Sequence, residues 1–197
     1  MRDELPLLVL DASVVINLNA TDRAAGILDA LPFQAAVTDV VESELLQDRR
    51  TGRKDGDLLA ELVAAQRIAI MTLDETAISI FGGLIAGSTT ETLDDGEAAT
   101  IAVAVTHGAV AVIDESKARS ICSRRFRELR LLSTAEMFLR DEVASALGSD
   151  DLSNAVFCAL HTARMRVLPE YAARIVQLIG TDRALKCPSL PKTARPR

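Results

Sequence analysis

The 197-residue sequence contains no Trp, and aromatic side chains make up only 3% of it. Its core must therefore be built from Ala, Val, Leu and Ile, as in folds that pack helices against a sheet. Cys122, Cys158 and Cys187 are odd in number, far apart and without a C-x-x-C pair. A disulfide framework or a zinc site is thus not expected, and the usage fits a reducing compartment. His107 and His161 stand alone, with no His-x-x-x-His spacing, so each is expected to be structural rather than a ligand. No apolar run approaches the ~18 residues of a membrane span. LPLLVL near the N-terminus is short, follows Asp3 and Glu4 and ends at Asp11, unlike a signal peptide. Basic charge is scarce as well: 22 Lys and Arg against 28 Asp and Glu leave a net charge of −6. That balance argues against binding nucleic acid through a broad basic surface. The expectation is a cytoplasmic protein with no membrane partner.

What is present is an alternation of apolar runs and helical periodicity. LPLLVL (5–10) has the continuous pattern of a strand buried on both faces, followed by a helical stretch interrupted near Asn19–Thr21. FQAAV (33–37) reads as a second strand with a helix to Gln47, then a polar loop over 48–57 and a helix over 57–66. IAIMT (68–72) is a third strand, and the helix after it is expected to stop at the Gly82–Gly83 pair. A helix from Asp95 to Thr106 should be closed by Gly108. Strands at 109–113 and 129–133 bracket a helix over 115–127, and three further helical stretches lead to Gly180. Alternating strands and helices imply an α/β fold, with a mostly parallel central sheet of about five strands flanked by helices in three layers. After Thr181, the prolines at 188, 191 and 196 point to a disordered tail over 181–197.

Sites in open α/β sheets form outside the carboxyl ends of the strands. Asp11 ends the first strand and Asp114 the fourth, so both fall on one sheet edge. Either could instead cap the helix that follows it. Asp39 followed by Glu42 has the spacing of a capping box, which leaves Glu44, at the border of the inward stripe of its helix, as the carboxylate in need of a partner. In LDDGEAATIAVA (93–104), Asp94 and Asp95 suit the helix cap, whereas Glu97 shares the inward face of Ile101. Four convergent carboxylates repel one another unless a cation lies among them, and an all-oxygen set suits Mg²⁺ or Mn²⁺. Such an ion between acidic side chains and an anionic substrate is the arrangement of phosphodiester hydrolysis.

In this order, LVLDASVVINL, VTDVVESEL, DDGEAATIAVAVTHG and AVAVIDESKAR resemble the acidic motifs of PIN-domain ribonucleases over roughly residues 5 to 180. The Gly-Glu opening of the third motif and the helical stretch after the fifth strand look like a branch related to the VapC toxins. The resemblance implies a PIN-like catalytic domain over 1–140, a helical extension packed on it over 141–180, and the tail over 181–197. It implies that Asp11, Glu44, Glu97 and Asp114 hold Mg²⁺ or Mn²⁺ and hydrolyse RNA to a 3′-hydroxyl and a 5′-phosphate. Ser13 would support the site, and Lys117 and Arg119 would contact substrate phosphate. Arg119 has a second option, an i, i+4 salt bridge to Glu115. A small antitoxin protein and a homodimer are the implied partners besides RNA. The alternative is a PIN fold that has lost catalysis and serves as an RNA- or protein-binding module. A haloacid-dehalogenase-like phosphatase is set aside because it needs a second Asp where this chain has Ser13, and a receiver domain because Asp11 lacks an acidic neighbour.

Overall fold

The computed structural model describes residues 5–47, 54–88 and 91–191. Five short strands, β1 (Leu7–Leu10), β2 (Gln34–Thr38), β3 (Ile68–Met71), β4 (Val110–Val112) and β5 (Arg130–Leu132), form one sheet in the order β3-β2-β1-β4-β5. Every neighbouring pair is parallel. Parallel neighbours need crossovers, and the helices α1 (Ala12–Asn19), α2 (Ala24–Ala30), α3 (Asp39–Gln47), α4 (Asp55–Ala64), α5 (Glu75–Ile85), α6 (Asp95–Thr106) and α7 (Ser116–Arg125) supply them. The expected α/β fold, a parallel sheet of five strands flanked by helices, is what the chain adopts. The strand order reverses between β1 and β4, so the crevice at their carboxyl ends is where a site is expected.

The chain divides into two compact units. The first comprises residues 1–15 and 32–132, and the second residues 16–31 and 133–197. The second unit groups the segment 16–31 with the C-terminal helices. In the first unit, Val9, Ala111 and Ile113 of the sheet region pack with Ala98, Ile101 and Ala102 of α6 and with Leu84 of α5. Helix α6 is buried almost all round, which explains its run of Ala and Val: small side chains let it lie close to its neighbours. The second unit holds α8 (Thr134–Phe138), α9 (Asp141–Leu147), α10 (Ser149–His161), α11 (Pro169–Ile179) and α12 (Thr181–Ala184). Four of these lie before Gly180, where three helical stretches were expected.

Several local expectations are corrected. Helix α5 runs through Gly82 and Gly83, neither of which has a positive φ, and ends at Ile85, with Ala86 as its C-cap before Gly87 (φ 132°). Two glycines cost a helix roughly 1 kcal/mol each relative to Ala, and burying Leu84 in the last turn offsets much of that. The capping box of Asp39 and Glu42 does not form; Thr38 Oγ1 accepts the Val41 amide at 3.2 Å and caps α3 instead. The segment after Thr181 is not a disordered tail as far as residue 191. Helix α12 opens it, Ala184, Cys187 and Leu190 are buried, and Ser189 Oγ donates to the Leu160 carbonyl at 3.2 Å. Residues 192–197 and most of the basic stretch RRTGRK (49–54) lie outside the described residues. Gly108 closes α6 as expected: with φ 61° it completes a Schellman turn in which the Ala109 amide donates to the Ala104 carbonyl at 2.8 Å.

Candidate active site

Asp11 is the first residue beyond β1 and the residue preceding α1, and its two carboxylate oxygens have different tasks. Oδ2 accepts the Ser13 amide at 3.2 Å and the Ser13 hydroxyl at 2.6 Å, so Asp11 does cap the helix. Oδ1 is turned toward the first turn of α6. The carboxylate is buried, and that burial raises its pKa above the ordinary 3.8, with Asp94 adding to the rise and the Ser13 bonds opposing it. Asp114 is also buried, two residues past the end of β4. The register pairs Leu10 with Val112, so Asp11 and Asp114 stand at adjoining strand ends.

Helix α6 brings the next acids. Glu97 is half-buried, and its pKa is pushed from the ordinary 4.5 to about 7. Desolvation is the main cause, followed by the charges of Asp11 and Asp94; the Asp94 amide and the Lys117 ammonium act the other way. Asp94 occupies the N-cap position of α6, yet its side chain makes no capping hydrogen bond. Its charge acts on Asp11 and Glu97 instead.

Glu44 comes from α3, exposed on the solvent side of the stripe formed by Val41 and Leu45. Its carboxylate lies against Gly96 of α6. A Cβ at Gly96 would lie 2.5 Å from Glu44 Oε2 and 3.6 Å from Asp11 Oδ1, so the two carboxylates close over one bare backbone position. Glu44 also lines an open cavity of about 640 Å³ with Ser43, Gln47, Asp94 and Asp95. Among the described residues, no three acidic, imidazole or thiol groups are clustered tightly enough to hold an ion. The donor chemistry nonetheless fits a hard divalent cation. The donors are carboxylates alone, and burial together with neighbouring carboxylate charge makes Asp11 and Glu97 hold their protons above the usual range.

A protein-family model described as a PIN domain matches residues 7–181. The chain belongs to the PIN-domain family. No match was found among curated proteins. PIN domains are generally nucleases that use divalent metals, and nuclease-type function is therefore indicated here.

Within this PIN domain, the structure brings Asp11, Glu44 and Glu97 to the first turn of α6 and Asp114 to the adjoining strand end. Lys117 faces Glu97 electrostatically. Arg119 is anchored on backbone carbonyls rather than on Glu115. Its Nη1 donates to the carbonyls of Ile113 (3.1 Å) and Leu132 (3.0 Å), tying the ends of β4 and β5 together. Ser13 holds Asp11 through its amide and hydroxyl. The basic cluster 124–130 is partly committed too, since Arg125 donates to the Gly83 carbonyl at 2.9 Å and Arg124 to that of Ser120. Sequence reasoning missed Asp94 and Gly96. The helix-start position of Asp94 disguised its charge as a cap, while the Gly-Glu pair marked Gly96 without showing that the space itself mattered.

Proposed function

We propose that this PIN domain is an endoribonuclease dependent on Mg²⁺ or Mn²⁺, with Asp11, Glu44, Glu97 and Asp114 as the metal-holding acids. The observation that carries the reading is the meeting of Asp11 and Glu44 over Gly96, beside Glu97, at the switch point of the sheet. A bound divalent ion supplies Lewis-acid polarisation of a phosphoryl oxygen and lowers the pKa of water near it. Ser13 orients Asp11 through two hydrogen bonds, so one carboxylate oxygen stays directed at the site. Lys117, beside Glu97, offers an ammonium for a substrate phosphate oxygen. The raised pKa of Glu97 in the metal-free protein means that it gives up a proton when a cation binds.

The finer role we infer is the toxin of a toxin–antitoxin pair. A small inhibitory partner would place a basic segment in the cavity lined by Glu44, Asp94 and Asp95, where acidic side chains outnumber basic ones.

Purified protein with Mn²⁺ cleaves single-stranded RNA in this reading, leaving 5′-phosphate ends. Asp11→Asn lowers the rate by at least about a hundredfold. Asn caps a helix about as well as Asp, so that loss reports chemistry rather than a disrupted α1. Equal inertness of both proteins across metals and RNAs would replace the nuclease reading with an RNA- or protein-binding module. In a bacterial host, expression of the wild type and not of Asp11→Asn should arrest growth; equal growth removes the toxin role.

A further inference from the structure

Gly96 has a helical backbone with no positive φ, so its conformation does not call for glycine. Nor does the helix gain by it, since alanine favours the helical state. What singles the position out is what a side chain would meet. Its Cβ would fall 2.5 Å from Glu44 Oε2, 3.5 Å from Val41 Cγ2 and 3.6 Å from Asp11 Oδ1. The last two are ordinary contacts and the first is a collision. We propose that Gly96 is a positioning residue, whose missing Cβ seats the Glu44 carboxylate against the first turn of α6 and alongside Asp11. This rests on the metal-dependent nuclease reading above and says which residue sets the geometry of that site.

The collision is with the far end of a flexible side chain on an exposed position of α3, not with backbone. A methyl group at Gly96 therefore turns Glu44 aside and leaves the fold in place. Asp94 and Glu97 flank the position on the same helix, so the displaced carboxylate has no equivalent place among charges of its own sign. Removing one methylene from Glu44 would draw the carboxylate back from the added methyl, so the two changes are coupled.

The test uses the full chain and Mn²⁺ as the probe, read by calorimetric titration beside RNA cleavage. Gly96→Ala is expected to weaken Mn²⁺ binding at least tenfold without lowering the melting temperature of the metal-free protein. In a Glu44→Asp background, the same substitution should cost markedly less than tenfold. Gly82→Ala is the control, a helical glycine with open space around its Cβ position, and should leave Mn²⁺ binding unchanged. Wild-type affinity in Gly96→Ala, or losses that simply multiply in the double variant, would overturn the proposal. A second readout needs no metal: cross-relaxation in NMR between the Glu44 γ-protons and the Gly96 α-protons. Its presence in wild type and loss of the wild-type Glu44 γ-shifts in Gly96→Ala support the seating even if Mn²⁺ does not bind, in which case the nuclease reading alone fails. Its absence in wild type overturns the seating whatever the metal does.

Discussion

Glu97 is the residue through which pH reaches the site. Its folded pKa of about 7 lies above the ordinary 4.5, so the folded state holds this proton more tightly than the unfolded chain does. The resulting stabilisation is fully present below about pH 4.5 and is lost as pH rises through 7. Metal-free protein should therefore melt at a lower temperature at pH 8 than at pH 5, and Glu97→Gln should flatten that slope. The same proton must leave when a cation binds, so Mn²⁺ affinity is expected to be weaker at pH 6 than at pH 8, as calorimetry would record. Asp94 contributes to the shift and Asp95 does not figure in it. An NMR titration of the metal-free protein should find the Glu97 pKa lowered in Asp94→Asn and unmoved in Asp95→Asn. The carboxylates at the strand ends were legible because a strand terminus fixes where its next residue goes. Asp94 was not, because an acid at a helix start has a common structural explanation that hides its field.

At the scale of the element, periodicity located the five strands to within two residues, since the apolar runs are short and cleanly bounded by polar segments. The failures were at breakers and caps. Gly82–Gly83 was read as a stop, yet Leu84 is fully buried and draws the helix on for another turn; tertiary packing outweighed propensity. Gly82→Ala should consequently raise stability by up to about 1 kcal/mol in denaturant unfolding. Gly108→Ala should lower it by about 1–2 kcal/mol, because its φ of 61° favours glycine over a residue with a Cβ. The Arg119 clamp was out of reach of sequence reasoning, since nothing local shows that a guanidinium will meet the carbonyls of two strands. Arg119→Met removes hydrogen bonds from a charged donor to two carbonyls, worth about 1.5–3 kcal/mol, and urea unfolding should show a loss of that order.

Across the whole molecule, composition was a sound guide to the core and a poor one to the ends. A low aromatic content did mean a core of Ala, Val, Leu and Ile, with Phe138 the only aromatic among the largest fully buried side chains of the described residues. Among the described residues, no helix is long and apolar enough to cross a membrane. Prolines after Thr181 suggested disorder, but Leu190 is 1% exposed and belongs to the packed interior of the second unit. Leu190→Ala should cost that unit about 2–5 kcal/mol, measurable by thermal or urea unfolding. Burial also separates the three cysteines. Cys122 and Cys187 are buried, and the Cys122 thiol is pushed up to about 12 chiefly by desolvation, whereas Cys158 is only half-buried. A maleimide-bearing fluorophore should react first at Cys158, so the native chain carries a ready attachment point for spectroscopic distance measurements without prior removal of the other thiols.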